Sequence, residues 1–355
     1  MDPAFYPFCH MQIASPEIIL QQFPLSKESE KQIAQSRKTI CNILSGKDRR
    51  LLLIVGPCSI HDQEATLEYA EKLKGLSDEV QESFFICLRT YVEKSRTLFG
   101  WKGYLHDPDL DESYDIEKGI GLTRSLLVEI AKLGLSVATE FVDPIAARFF
   151  QDLVSWGCIG ARCSQSPISR RLASSLDMPV GFKNKTDGDI EVAIGGACVA
   201  KCPHTFLDIS LQGQLIKQTS RGNIFPHIVL RGGKGRSNFD RASIATTAKL
   251  LKEVNLPGAI LIDCSHDNCQ NICSAQRSIL LHIIEGVIED GSQSPVRGAM
   301  IESFLYSGSQ KSKLCCHSQK IHYGISCTDP CLDWQTTQEL ILQAHELFAP
   351  KVASV

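Results

Sequence analysis

A parallel (β/α)8 barrel, carrying an N-terminal extension and an inserted β-hairpin, is the α/β fold this sequence predicts, and three observations predict it. Short apolar runs recur along the chain, stretches with helical spacing separate them, and the runs are apolar throughout instead of alternating. Strands buried on both faces read this way, because helices cover a parallel sheet. Eight such runs are what a closed barrel requires. A doubly wound open sheet is the competing arrangement, and it should carry a Gly-rich first turn. Here the first run leads into Pro57-Cys58-Ser59, and no Gly-x-Gly-x-x-Gly follows any strand.

Residues 1–50 precede the first strand and make the extension, with a helix expected over 27–44; residues 51–355 are assigned to the barrel. Strands are expected at 51–56, 84–89, 136–141, 158–162, 180–184, 227–231, 259–264 and 298–304. Between them, residues 65–76 have helical spacing, and residues 120–133 place Leu122, Leu126, Leu127 and Ile130 along one helical face. Residues 205–220 read as two short strands about a Gln-Gly turn. This pair fits poorly as a ninth barrel strand and is better an insertion in the fifth strand–helix unit, suited to regulation or oligomer contact.

Composition narrows the class. A chain of 355 residues can bury a large core, and its net charge of −3 argues against a nucleic-acid binder working by bulk charge. No stretch reaches the ~18 consecutive apolar residues of a membrane span, and residues 1–12 lack the basic-then-apolar pattern of a signal peptide. The 15 cysteines include no Cys-x-x-Cys, so they read as small buried hydrophobes in a reducing cytoplasm. No membrane or nucleic-acid partner is expected.

Barrels of this kind place reactive side chains where strands end and the following loops begin. The second strand leads into Arg89 and on to Lys94, Ser95, Arg96 and Thr97. The fourth leads to Arg162, the fifth to Lys183 and the sixth to Arg231. Any one of these taken alone is an ordinary solvated cation. Together they converge on one mouth, where several cations are costly without a neutralising anion. Arg and Lys side by side suit phosphate and carboxylate. A second cluster is soft and acidic: Cys58 after strand one, His266 after strand seven, Glu302 at strand eight and Asp329 in the loop beyond. These form a plausible divalent site, accepting Mn, Fe, Co, Zn or Cu by ligand type. Singly, Cys58 reads as a core thiol, and His61 or His266 as a satisfied core histidine.

The runs Gly-Pro-Cys-Ser-Ile-His-Asp (56–62), Gly-Trp-Lys-Gly (100–103), Ser-Trp-Gly-Cys-Ile-Gly-Ala-Arg (155–162), Pro-Val-Gly-Phe-Lys-Asn (179–184) and Leu-Arg-Gly-Gly-Lys (230–234) carry a resemblance. In them the chain resembles the metal-dependent, class I 3-deoxy-D-arabino-heptulosonate 7-phosphate (DAHP) synthases, from about residue 20 to 347. That family joins phosphoenolpyruvate to erythrose 4-phosphate, releasing phosphate, as the first step toward chorismate and the aromatic amino acids. The resemblance implies that Arg89, Lys94, Arg162, Lys183 and Arg231 hold phosphoenolpyruvate and that Arg96 and Thr97 meet the phosphate of erythrose 4-phosphate. It also makes Cys58, His266, Glu302 and Asp329 ligands of one divalent metal ion.

Chemistry adds three catalytic candidates. Lys94 is placed to protonate the aldehyde oxygen, with neighbouring cations expected to lower its pKa; Lys183 holds substrate; Glu140, ending strand three, is the candidate for positioning the water that adds to the phosphate-bearing carbon. The sequence departs from the family at Ser95, where Lys-Pro-Arg-Thr is usual, at Lys185, where Gly is usual, and at Cys163-Ser164-Gln165. Feedback-controlled members bind an aromatic amino acid between the hairpin and the third and fourth units. Here Asp143, Pro144, Arg148, Leu172, Leu176, Asp177 and Phe206 stand in those places. By the same resemblance the chain is expected to form a homodimer or homotetramer. Residues 1–15 lack the acidic start usual in the family. An octulosonate 8-phosphate synthase and a non-catalytic regulatory barrel remain the alternatives.

Overall fold

The computed structural model describes residues 11–310 and 321–353, with side chains as far as residue 349. Residues 1–10 of the expected extension lie outside the described part. Two helices open the chain, α1 (Pro16–Gln22) and α2 (Lys27–Leu44). Strand–helix units follow: β1 (Leu51–Gly56) with α3 (Gln63–Glu79), β2 (Phe84–Arg89) with α4 (Ile116–Lys132), and β3 (Ser136–Glu140) with the short α5 (Pro144–Ala147). Next come β4 (Trp156–Ile159) with α6 (Pro167–Ser175) and β5 (Val180–Lys183) with α7 (Glu191–Lys201). The pair β6 (Thr205–Ile209) and β7 (Leu215–Thr219) precedes β8 (Pro226–Leu230) with α8 (Arg241–Glu253). β9 (Ile260–Asp263) with α9 (Ala275–Asp290), then β10 (Val296–Glu302) with α10 (Trp334–Ala353), complete the chain.

The eight long-range strands close in the order β1-β10-β9-β8-β5-β4-β3-β2, every neighbouring pair parallel. This is the predicted (β/α)8 barrel. Alternation divides its strands between two cores. Leu52 and Ile54 of β1 join Cys87, Ala138, Val229, Leu261 and Met300 in one cluster, while Leu51, Leu53 and Val55 pack with the surrounding helices. Ile40, Ile43 and Leu44 of α2 belong to the first cluster, so the extension's main helix closes the end of the barrel opposite the strand tips. Within it, Trp156 Nε1 donates to His227 Nε2 at 3.0 Å, and His227 Nδ1 faces the Phe225 carbonyl at 3.0 Å. Burial pushes His227 down to about 4.

Helix starts follow local chemistry. Ser26, Asp62, Asp115, Asp143 and Asp240 each accept an N-terminal amide of the helix that follows, satisfying donors with no partner inside the helix. Helix α2 falls at the expected bounds, and α4 buries Leu126, Leu127 and Ile130.

One strand differs from expectation by more than an end residue or two. β4 ends at Ile159, not at Arg162, because the Gly160 carbonyl immediately accepts the amides of Cys163 and Ser164 in a turn. Arg162 therefore sits on an exposed loop beyond the strand. The 205–220 insertion is an antiparallel hairpin outside the barrel, with Gly213 at φ +76 in its turn. Its tip is tied to α1 by Glu17 N donating to Leu211 O at 2.8 Å. Among the described residues, no helix is long and apolar enough to cross a membrane.

Candidate active site

The soft cluster assembles at the carboxyl-terminal mouth. Ligand atoms of Cys58, Glu302 and Asp329 lie within 4.8 Å of one another. They come from the loop after β1, the end of β10 and the loop before α10, so barrel closure between β1 and β10 is what joins them. His266 stands beside the three, its Nε2 3.9 Å from Glu302 Oε1. Its Nδ1 lies 3.0 Å from Asp263 Oδ2 and 2.7 Å from Ser265 Oγ. A carboxylate on one ring nitrogen fixes the tautomer and frees the other for a metal, the usual outer-shell arrangement of a ligating histidine. His266 holds φ +57, an uncommon conformation for a non-glycine residue and one often found at functional sites. His61, by contrast, packs edge-on against Phe304 at 5.8 Å, as a core histidine.

The donor set fits a divalent ion of borderline softness. Burial pushes the Cys58 thiol up, Glu302 and Asp329 push the same way, and Lys94 and Arg89 oppose them without prevailing. A metal ion held at this thiol would have to displace its proton.

The cations gather alongside. Arg89 is buried; its Nη2 donates to Glu302 Oε1 at 2.8 Å and its Nε to Pro57 O at 3.1 Å, while its buried Nη1 has no hydrogen-bond partner. Lys94 Nζ donates to Cys58 O at 2.5 Å and lies 3.2 Å from Cys58 Sγ. Lys183 Nζ donates to Asp263 Oδ2 at 2.7 Å, and Arg231 pairs with Asp267. The Tyr91 ring lies under three of them, 3.6 Å from the Arg89 guanidinium carbon and 5.6 Å from each of Lys94 and Lys183 Nζ. On the exposed side, Arg162 Nε donates to Thr97 Oγ1 at 3.0 Å and Arg96 Nε to Trp101 O at 2.9 Å. Glu140 is buried beneath this loop, accepting from Ser95 Oγ at 3.3 Å.

Two expectations need correction. The neighbouring cations do not bring Lys94 down: burial lowers it, but Cys58, Glu302 and Asp329 together outweigh burial and Arg89, and its pKa stands above the ordinary lysine value. Nor do the strand-end cations all wait for a ligand anion, since Arg89, Lys183 and Arg231 already have protein carboxylates.

Two of those carboxylates, Asp263 and Asp267, are what sequence reasoning missed; Glu302 is expected from the sequence only as a metal ligand. Asp263 ends β9 and holds both Lys183 and His266; burial pushes its carboxyl up, but the Lys183 ammonium and the hydrogen bond with His266 hold it well below the usual range. The strand-end rule that flagged the cations applies equally to Asp263. Asp267 and Tyr91 gave no comparable signal.

At the hairpin, Pro144, Leu172 and Phe206 line one cavity, with Asp143, Arg171 and Asp208. Arg148 is paired with Asp208, Nε to Oδ1 at 3.3 Å, and Leu176 is buried nearby in the core. Asp177 is exposed and does not line this cavity.

Comparison with known proteins agrees with this arrangement. The model of the DAHP synthetase I family matches residues 22–342. A Tyr-sensitive phospho-2-dehydro-3-deoxyheptonate aldolase of Escherichia coli K12 is 42% identical over 334 residues, covering 94% of this chain and 92% of its own. A Trp-sensitive phospho-2-dehydro-3-deoxyheptonate aldolase of Enterobacter agglomerans is 43% identical over 93% of each chain. A solved structure of phospho-2-dehydro-3-deoxyheptonate aldolase from Francisella tularensis SCHU S4 superposes with a TM-score of 0.90 at 40% identity, covering 97% of this chain and 98% of that one. With a matching family model over nearly the whole barrel and relatives of this identity, the chain belongs to the DAHP synthetase I family.

Proposed function

We infer that this enzyme condenses phosphoenolpyruvate with erythrose 4-phosphate and water, giving DAHP and phosphate at the entry to the shikimate pathway. The observation that carries the reading is the mouth itself: a Cys58–Glu302–Asp329 cluster beside Arg89, Lys94 and Lys183 around Tyr91, with Arg89 Nη1 left over. An unpartnered buried guanidinium nitrogen is costly, and a ligand phosphate or carboxylate satisfies it.

Arg89, Lys94, Arg162, Lys183 and Arg231 hold phosphoenolpyruvate, while Arg96 and Thr97 hold the phosphate of the sugar. The Arg162–Thr97 hydrogen bond joins the two groups, which supports a side-by-side arrangement of the substrates. Cys58, His266, Glu302 and Asp329 hold one divalent ion, drawn from Mn, Fe, Co, Zn or Cu. When bound, it supplies Lewis-acid stabilisation for the negative charge developing at the aldehyde.

The methylene carbon of phosphoenolpyruvate attacks the aldehyde carbon, its π pair making the new C–C bond. Lys94, cationic at neutral pH, donates the proton to the aldehyde oxygen. Glu140 orients a water that adds to the carbon bearing phosphate. The C–O bond to phosphate then breaks and phosphate departs; one of the water's two protons returns to Lys94 and the other goes to the phosphate, leaving the ketone.

An aromatic amino acid, as the Tyr- and Trp-sensitive names of the relatives suggest, is the effector we assign to the hairpin cavity. Exposed Leu207, Leu211 and Leu215 on the hairpin support a homodimer or homotetramer. Free thiols among the described cysteines support a cytoplasmic setting.

Phosphate release by metal-reconstituted enzyme with both substrates, with and without chelator, tests the reaction. Adding Phe, Tyr and Trp separately tests the effector. Preference for arabinose 5-phosphate over erythrose 4-phosphate, or no release at any metal loading, overturns the reading.

A further inference from the structure

The Lys94-Ser95-Arg96-Thr97 loop carries a hydroxyl at position 95, where the family resemblance leads one to expect a proline, and that hydroxyl has a specific partner. Ser95 Oγ donates to Glu140 Oε1 at 3.3 Å. Glu140 is the last residue of β3 and is buried there. On its other side stands Gly160, directly after β4, and a Cβ on that glycine would overlap the Glu140 carboxylate. The carboxylate thus lies where a side chain at position 160 would displace it, and Ser95 donates to it from the substrate loop.

We propose that Ser95 is a positioning residue, whose hydroxyl holds the Glu140 carboxylate at the mouth in the orientation that directs water to the phosphate-bearing carbon. Proline cannot do this, having neither hydroxyl nor amide hydrogen. Ser95 is flanked by Lys94, which reaches Cys58, and by Arg96-Thr97, where Thr97 accepts from Arg162. Ordering of that loop by the sugar phosphate therefore also orders Glu140, so that water is aligned only when both substrates are in place. The hydrogen bond further supplies an anchor that a proline would otherwise provide through its fixed φ.

The inference rests on the reading of Glu140 as the water-positioning carboxylate, and the two separate cleanly in a double-mutant cycle on metal-loaded enzyme. Glu140→Gln tests the carboxylate alone, and wild-type kcat in that variant removes both readings. Given a loss there, Ser95→Ala is expected to lower kcat about 5- to 10-fold, as removal of one ordinary intramolecular hydrogen bond does. KM for phosphoenolpyruvate is expected to stay within about twofold. Ser95→Thr, which keeps the hydroxyl, restores most of kcat. In the Glu140→Gln background, Ser95→Ala adds no further loss. Ser95→Ala with unchanged kcat, a loss confined to KM for erythrose 4-phosphate, or full additivity in the cycle each overturns the role of Ser95 while leaving that of Glu140 standing.

Discussion

The barrel mouth and the hairpin cavity both hold buried ion pairs, but they are built differently. At the mouth, each pair ties together different barrel units: Arg89 of β2 meets Glu302 of β10 and Lys183 of β5 meets Asp263 of β9, each across one intervening strand, while Arg231 after β8 meets Asp267 after the neighbouring β9. Strand register fixes both partners before any ligand arrives. The hairpin pairs only with itself, and Arg148–Asp208, a Ser174–Ser220 hydroxyl contact of 2.8 Å, Arg171 over Phe206 and the tie to α1 hold it in place. Preorganised charge belongs where chemistry happens. An element on a few tethers can move without disturbing it, which suits control.

The largest effect that would break this contrast is at Glu302. Glu302→Ala removes a metal-ligand candidate and leaves the buried Arg89 guanidinium unpaired. Loss of about 3–5 kcal/mol of stability is expected, since the partner charge stays buried. Chemical denaturation measures it, and bound metal by elemental analysis should fall with it. A variant as stable as wild type would show that the mouth is not cross-braced.

Acid should reach the barrel before the hairpin. His227 is buried and neutral, with a folded-state value of about 4. As pH falls through ~6.5 the unfolded chain takes up a proton that the folded chain refuses, so stability is lost from there down to about 4, where the loss levels off. Two and a half units correspond to at most about 3 kcal/mol. Urea melts of wild type and His227→Gln across that range, followed by circular dichroism, isolate the contribution. A constant difference between the two proteins would refute it.

Asp263→Asn sharpens the contrast at one residue. It keeps the shape but weakens the hold on both His266 and Lys183. Metal affinity is expected to fall about 10- to 100-fold, the range for outer-shell partners of metal ligands. KM for phosphoenolpyruvate rises in parallel if Lys183 holds that substrate. Metal titration with unchanged affinity would mean that His266 needs no support.

The same difference explains what could be read without coordinates. The barrel was legible because each strand is a run buried on both faces, and strand ends such as Arg89, Lys183 and Glu302 inherit their place from that pattern. Asp263 could have been found by the same rule, yet its meaning depends on Lys183, which lies 80 positions away. The end of β4 is not legible in the sequence, because Gly160 begins a turn that no apolar pattern announces. At the hairpin, Asp177 was placed by analogy alone, and its exposure depends on loop packing that periodicity does not encode.

Cutting the tether should free the hairpin and leave the mouth alone. Arg148→Ala leaves Asp208, which is mostly buried, without its cation. The expected cost is about 1–3 kcal/mol in local opening, that of a buried group losing its partner. Hydrogen exchange should show faster amides in β6 and β7 with unchanged protection in β1 and β10. Equal acceleration throughout would mean that the two regions unfold as one.

The smallest expected effect on rate comes from the hairpin's outer face. Leu207 and Leu215 are 72% and 74% exposed and share one side of the β6–β7 pair, at the rim of the cavity that Phe206 and Asp208 also line. Apolar side chains left out in this way are covered only by association. Leu207→Glu with Leu215→Glu should shift the enzyme to a smaller species in sedimentation, because like charges would then face across a contact between copies. Initial rates at saturating substrates should stay within about twofold of wild type, as for surface changes remote from the chemistry. A lost assembly with intact catalysis would separate the two regions completely. Lost catalysis with intact assembly would mean that the hairpin acts on the mouth within a single chain, through the Arg148 tether.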